Sequence, residues 1–214
     1  MKSFQKNIIY LLVLFASLKQ YGQNNSHLVV DVNTAKKTLV IQQEIVFFNQ
    51  SQDTLSSLVL NDWNNAYSSK TTPLAKRFSD EFYRGFHLAK EEERGSTTIL
   101  GITDTGKLPF VWKRTEKNPD LIVVDLKEKL APSQKITLHL SYIIKVPSNK
   151  FTKYGYGDND RMNLKNWFIT PSRYENHAFV TYNNNNLDDI ANSFFDIDIE
   201  LKIPKNLEVT SDLN

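Results

Sequence analysis

The sequence of 214 residues contains no cysteine. A disulfide scaffold is therefore excluded, and so is a lipoprotein anchor, because both require the thiol of a cysteine. Stability must come instead from strand pairing and from a core rich in aromatic side chains, since the chain has 13 phenylalanines and 9 tyrosines. The length suits one hydrophobic core of the size found in a β-sandwich domain.

Recognisable catalytic motifs are absent as well. No two of the four histidines lie within five residues of each other, so there is no HExxH zinc motif. A G-x-S-x-G nucleophile motif and a glycine-rich phosphate loop are also missing. The residues therefore predict no catalytic site, no metal site and no cofactor within this chain. The histidines are His27, His87, His139 and His177.

The N-terminus has the layout of a signal peptide. Lys2 and Lys6 precede an apolar block at residues 8–16, and residues 21–23 read Tyr-Gly-Gln. The apolar block is about half of the ~20 residues that a membrane-spanning helix requires. We therefore expect residues 1–22 to be removed, leaving a mature chain that has no membrane span and is exported to the periplasm, surface or medium of a bacterium.

Removal of residues 1–22 also changes the charge balance. This segment holds three lysines and no acidic residue, so the basic residues fall from 26 to 23 while the acidic residues stay at 24. The mature chain then has a formal charge of −1. A near-neutral chain gives no support for a nucleic-acid partner.

Period-two alternation of apolar and polar residues recurs along the chain and predicts β-strands. In the clearest case, Phe195, Ile197 and Ile199 alternate with Asp196 and Asp198. Such a strand buries one face and exposes the other, so we expect aspartate at position 199 to be strongly destabilising. The predicted strands cover residues 39–48, 55–60, 97–102, 110–113, 121–126, 135–146, 167–170, 178–182, 194–203 and 207–210.

One segment follows a helical pattern instead. Thr72 can cap a helix that has Pro73 at its first position. Apolar residues then recur at every fourth position, at Leu74, Phe78, Phe82 and Phe86. The sequence therefore predicts an all-β fold, a mostly antiparallel sandwich with one short helix at residues 73–84 lying on the sheet.

A family resemblance is carried by the order of several short motifs. The C-terminal part reads WFITP at 167–171, VTY at 180–182, LDDI at 187–190, FFDI at 194–197 and IPKNLEVTSD at 203–212. This order is similar to the end of the N-terminal domain of gluzincin aminopeptidases, the aminopeptidase N-like zinc metallopeptidases. Three earlier segments resemble exported bacterial members of this family. They read LNDWNNAY at 60–67, LAKRF at 74–78 and FTKYGY at 151–156.

The resemblance implies a saddle-like β domain, here residues 23–214, that forms the roof and scaffold of a peptide-binding cleft. In that family the hydrolase activity and the zinc belong to a downstream catalytic domain, which is absent from this chain. The resemblance therefore implies a domain that is not catalytic alone and holds no cofactor. Its expected partners are the catalytic domain and, through that domain, peptide substrates.

The resemblance also implies a substrate-binding loop. In the family, a loop before the last strands of this domain binds the free α-amino group of the substrate. The matching residues here are Ser172, Arg173, Tyr174 and Glu175, of which only Glu175 is acidic. These residue types depart from the family pattern, so a plain surface carboxylate is the alternative interpretation of Glu175.

Two further interpretations remain open at this point. The chain could be a free-standing β-sandwich that binds carbohydrate on the aromatic side chains of Tyr154, Tyr156 and Trp167, because flat aromatic rings suit sugar faces. It could also be an interaction domain that offers a sheet edge to a protein partner.

Overall fold

The computed structural model describes residues 23–115, 117–182, 191–205 and 207–212. The predicted signal peptide and the LDDI motif lie outside these residues. Within the described ranges, no helix is long and apolar enough to cross a membrane.

Strands dominate the described residues. The strands are β1 Asn24–Asn33, β2 Thr38–Phe48, β3 Leu55–Asn61, β4 Ser96–Thr103, β5 Val111–Lys113, β6 Leu121–Leu130, β7 Lys135–Lys145, β8 Gly155–Tyr156, β9 Met162–Asn163, β10 Thr170–Pro171, β11 Tyr174–Glu175, β12 Ala178–Phe179 and β13 Phe195–Lys202. Between β3 and β4 lie two short helices, α1 Pro73–Asp80 and α2 Gly85–Leu88, and the 3-10 turns Trp63–Tyr67 and Glu91–Glu93.

The strands form two main sheets. The larger sheet has the order β13-β1-β2-β7-β4, and the smaller sheet has the order β10-β3-β6-β5. All ladders are antiparallel except that of β1 with β13, which is parallel. One hydrophobic cluster joins the two sheets, with Leu28 and Leu138 from the larger and Leu60 and Ile122 from the smaller. The prediction of an all-β, mostly antiparallel sandwich is confirmed.

Most predicted strands are found, with several differences. Strand β1 and the two-residue strands β8, β9 and β11 were not predicted. Residues 207–210 form no strand, although Leu207 and Val209 alternate with polar residues. The strands predicted at 167–170 and 178–182 shrink to the two-residue strands β10 and β12.

The alternating strand β13 lies at an edge of the larger sheet. Its odd-numbered residues share a face with the buried residues of β1, because Ile197 pairs with Ser26 and Ile199 pairs with Leu28. They are only half-buried, however, and Leu201 remains 37% exposed. The face assignment from the sequence is correct, but the expectation of a fully buried row is wrong, because an edge strand has a neighbour on one side only.

The predicted helix is shorter than its apolar pattern. The Oγ1 of Thr72 accepts a hydrogen bond from the Ala75 N–H at 3.2 Å, as expected for the cap, but α1 ends at Asp80. The Tyr83 N–H then donates to the Phe78 carbonyl at 2.7 Å, which closes a Schellman turn with Phe82 at a φ of 58°. Phe82 is therefore 89% exposed, and the predicted stripe is wrong at this position.

Candidate functional site

The four predicted site residues lie in and before a small hairpin. Strands β11 and β12 pair Glu175 with Ala178, and the two connecting residues, Asn176 and His177, both have positive φ angles of 51° and 64°. This is a type I′ turn, which matches the twist of the flanking strands. The hairpin brings Tyr174 and Glu175 to the surface, and Ser172 lies just before it.

Ser172 is fully buried and has a structural environment. Its hydroxyl donates to the carbonyl oxygen of Val180, and its backbone N–H donates to the Val59 carbonyl at 2.8 Å. It also forms a β-bridge with Asn192. Ser172 therefore connects the hairpin to the smaller sheet and to the segment that precedes β13.

Arg173 and Glu175 bind each other on the surface. The Arg173 Nε lies 3.0 Å from the Glu175 Oε2, and the Arg173 Nη2 donates to the Glu175 Oε1 at 3.1 Å. Both side chains are close to half exposed, so the pair itself adds about 0–1 kcal/mol to stability. The carboxylate of Glu175 is already paired, and a substrate ammonium group would have to compete with the guanidinium of Arg173.

A second carboxylate, Asp53, stands beside the hairpin. Its Oδ2 accepts a hydrogen bond from the Tyr174 hydroxyl at 2.8 Å and lies 2.8 Å from the His177 Nδ1. The Tyr174 hydrogen bond, and after it the His177 hydrogen bond, lower the pKa of Asp53. Sequence reasoning missed Asp53 because more than 100 residues separate it from its partners.

A pocket lies between the strand that precedes the hairpin and the segment that leads into β13. It has a volume of about 60 Å³. Its walls combine aromatic rings with side-chain amides and one hydroxyl, and none of its lining side chains is charged. The lining residues are Asn61, Trp63, Asn166, Phe168, Thr170, Asn192 and Phe195.

The polar groups of this pocket are partly fixed by one another. The Asn192 Oδ1 accepts hydrogen bonds from the Asn61 Nδ2 at 2.9 Å and from the Thr170 hydroxyl at 2.7 Å. The Nε1 of Trp63 is buried and has no hydrogen-bond partner within the described residues. The amide pair of Asn61 and Asn192 thus forms the polar part of the pocket wall.

The aromatic loop considered for carbohydrate binding is placed differently. Tyr154 and Trp167 are buried, and the Tyr154 hydroxyl donates to the Asn64 Oδ1 at 2.7 Å. Burial raises the pKa of Tyr154, which therefore stays neutral. Tyr156 is half-buried, with the Lys37 ammonium 3.9 Å from its ring centroid. These rings offer no flat face to a sugar.

The histidines do not converge. His27 pairs with Asp198 at 3.0 Å, His139 lies 3.6 Å from Glu44, and His87 approaches the Ser79 hydroxyl at 2.7 Å. In the described part of the chain, no group of three or more histidine, aspartate or glutamate residues is arranged to hold a metal ion.

Comparison with known proteins gives structural neighbours only. No protein-family model and no curated protein matches the chain. A two-domain M1 zinc metallopeptidase mutant bound to L-tryptophan has a TM-score of 0.36 and 14% identity over 58% of this chain. The M1 zinc metallopeptidase of Deinococcus radiodurans has a TM-score of 0.34 and 15% identity over 57% of this chain.

A third solved structure, the two-domain M1 enzyme mutant bound to L-arginine, has a TM-score of 0.36 and 16% identity over 63% of this chain. The matched region covers 21%, 19% and 22% of the three solved chains, so this chain spans about a fifth of their length. Likeness at this level does not define a family for the chain.

Proposed function

We propose that this chain is an exported, non-catalytic β domain that serves as scaffold for a second folded domain. On the resemblance of its motif order, that second domain is the catalytic domain of a zinc aminopeptidase-like protein. The observation that carries the scaffold role is the incompletely buried apolar row of β13.

This row has the chemistry of a surface that another domain covers. Phe195, Ile197 and Ile199 lie on the core-facing side of the larger sheet but are only half-buried. Phe194, directly before them, is 91% exposed. Complete burial of an aliphatic side chain contributes ~1.5–3 kcal/mol relative to full exposure, so covering the surface that each of these side chains still exposes adds up to about a third of that. A partner domain that packs on this row would gain several such contributions.

The role of the hairpin within this proposal is recognition of the substrate amino group. Glu175 is the exposed acid of the predicted loop, and its pairing with Arg173 keeps the carboxylate in one place. A free N-terminal ammonium would displace Arg173 rather than meet an empty site. This exchange predicts weak amine binding, because the two cations compete for one carboxylate.

The scaffold role is tested on residues 23–214, which lack the apolar block at residues 8–16, with a matched pair of lysine variants. We expect the wild-type chain to bind a hydrophobic dye and to self-associate in sedimentation experiments, since the β13 row is uncovered. Leu201→Lys should reduce both signals. Asp198→Lys places the same charge on the opposite face of the same strand and should leave both signals unchanged. A monodisperse, dye-silent wild-type chain would refute the scaffold role.

The hairpin role needs a separate test in a protein that carries the catalytic domain. Glu175→Gln should raise KM for peptides with a free N-terminus and leave kcat nearly unchanged, because binding of the amine is weakened before the chemical step. Glu44→Gln, a surface glutamate on β2, is the control. Equal kinetics for the wild type and Glu175→Gln would reject the amine-binding role alone and leave the scaffold role standing.

A further inference from the structure

We propose that the partner domain adds an extended segment as a strand to the outer edge of β13, and that lysine or arginine alternates with aliphatic residues in this segment. The inference rests on the proposed scaffold role, because the apolar row is one side of the same strand. It names how the partner docks and which side chains it brings to the interface.

The first argument is the open backbone of β13. All eight of its residues pair with β1, without a bulge. On an edge strand, every second residue directs its N–H and C=O away from the sheet. Among the residues described, none of these outward groups has a backbone hydrogen-bond partner. An added strand supplies partners for them, as in peptide recognition by strand addition.

The second argument is that the other outer strands of the two main sheets are interrupted or short. Strand β4 has a bulge between Ile99 and Gly101, and its Ile102 carbonyl accepts from the Phe110 N–H at 2.9 Å. Strands β5 and β10 have only three and two residues. Strand β13 has eight residues and contains neither proline nor glycine. It is therefore the longest uninterrupted edge in the part of the chain that the structure describes.

The third argument is the charge along this edge. Asp196, Asp198 and Glu200 follow one another on the solvent face of β13 at intervals of ~6.6 Å. His27 reaches two of them, at 3.0 Å from Asp198 and 3.9 Å from Glu200, yet their side chains remain 75% and 63% exposed. Opposite charges on neighbouring strands favour pairing. A strand that places basic residues beside these acids and aliphatic residues beside the apolar row matches both faces of β13.

A second copy of this chain is a poorer occupant of the edge. When two β13 strands pair antiparallel, apolar residues oppose apolar residues only if even-numbered positions oppose even-numbered ones. The two central registers of this kind place Asp198 opposite Glu200 or opposite its own copy. Like charges directly opposite each other destabilise a strand pair. The acids therefore select against edge-to-edge self-pairing and in favour of a cationic strand.

The test is a calorimetric titration of residues 23–214 with synthetic peptides. The probe alternates lysine and valine over eight residues, the length of β13. One control peptide has glutamate in place of lysine. A second control keeps the lysine–valine sequence but carries a methyl group on every backbone nitrogen, which removes the backbone donors and keeps the charges. We expect saturable binding of the probe and of neither control.

Amide hydrogen exchange locates the bound probe. The outward N–H groups of β13 should exchange more slowly when the probe is present, because they become part of a ladder. The N–H groups of β5, which is an outer strand of the smaller sheet, provide the internal control and should exchange at unchanged rates.

Matched variants decide whether the acids of β13 act locally. Asp198→Asn should weaken binding of the probe roughly two- to fivefold, because one cross-strand charge pair is lost. Glu44→Gln removes a carboxylate from the same face of the sheet, two strands away, since both Asp198 and Glu44 pair with His27. This control should bind the probe as the wild type does. Equal weakening by both variants means general attraction of a cationic peptide and overturns the inference.

The remaining outcomes separate this inference from the scaffold role on which it rests. Binding of the probe together with slower exchange in β13 supports the inference. Equal binding of the methylated peptide overturns it, because no strand is then added. An absence of binding also overturns it, but the scaffold role stands if the wild-type chain still binds the hydrophobic dye and Leu201→Lys still reduces that signal.

Discussion

Replacing Ile199 by aspartate measures how deeply the apolar row of β13 is buried. Ile199 pairs with the fully buried Leu28 but is itself only half-buried at the sheet edge. Most of the Ile199 surface is already covered, so loss of that part of the transfer free energy of isoleucine costs about 1–2 kcal/mol, and the lower strand propensity of aspartate adds up to ~1 kcal/mol. Because the new carboxylate can reach water, no large charge-burial penalty follows. We expect Ile199→Asp to lower the free energy of unfolding by about 2–3 kcal/mol.

Two controls bracket this value. Leu28→Asp places a carboxylate in the closed core and should cost about 4 kcal/mol or more. Asp198→Asn changes an exposed residue whose contact is His27 at 3.0 Å and should stay within ~0.5 kcal/mol.

Urea unfolding followed by tryptophan fluorescence gives all three values, provided that the m-value is unchanged. If Ile199→Asp is as damaging as Leu28→Asp, the row is core and not an uncovered surface. If it matches Asp198→Asn, the face assignment is wrong.

Three further predictions concern a buried ion pair, a helix end and a surface carboxylate. Asp62→Ala should cost about 3–5 kcal/mol in urea unfolding, because it leaves the guanidinium of Arg114, which lies 2.5 Å from the Asp62 carboxylate, without that partner. Phe82→Gly should stabilise the chain by about 0.5–1 kcal/mol and raise Tm by a few degrees, because glycine adopts positive φ without a steric penalty. Unchanged or lower Tm would contradict that prediction. In Tyr174→Phe the pKa of Asp53 should rise towards 3.8, as NMR titration can measure. The stability that this hydrogen bond contributes should be present above pH ~4 and lost as the pH falls through the lowered pKa of Asp53.

Strands with a regular apolar period were predictable from the sequence. Strand β1 was not predicted, because its apolar period is interrupted. The buried positions at its start are polar, namely Asn24 and Ser26, so the alternation is hidden. They are tolerated because each is hydrogen-bonded: the Asn24 Oδ1 accepts from the Phe48 N–H, and the Ser26 hydroxyl accepts from the Gln43 amide, both at 2.8 Å. Partners so far away in sequence leave no local signal.

At residues 207–210 and at Phe82, by contrast, the sequence pattern predicted a strand and a longer helix that the structure does not contain. Leu207 and Val209 alternate as in a strand, yet no neighbouring strand pairs with them among the residues described. At Phe82 the apolar period continues past the point where the helix ends, and Tyr83 packs on Phe78 instead, with ring centroids 5.4 Å apart. Periodicity reports which side chains are apolar but not which backbone partners are available.

The candidate sites depend still more on tertiary structure. The predicted loop at residues 172–175 forms a hairpin, but Asp53 joins it from the connection between β2 and β3. The pocket is assembled from three separate stretches of chain, near Trp63, Thr170 and Asn192. None of these residues stands out by type or by spacing in the sequence. Their juxtaposition follows from the pairing of β10 with β3.

The most direct test of the proposed scaffold role is the zinc content of the native protein. The protein should be recovered from the exported fraction of the source cells with an antibody against the 214-residue chain, and its zinc should be determined by mass spectrometry. We expect stoichiometric zinc, bound by a catalytic domain that accompanies this chain. Recovery of this chain alone, monomeric and free of zinc, would show that the proposed scaffold role is wrong.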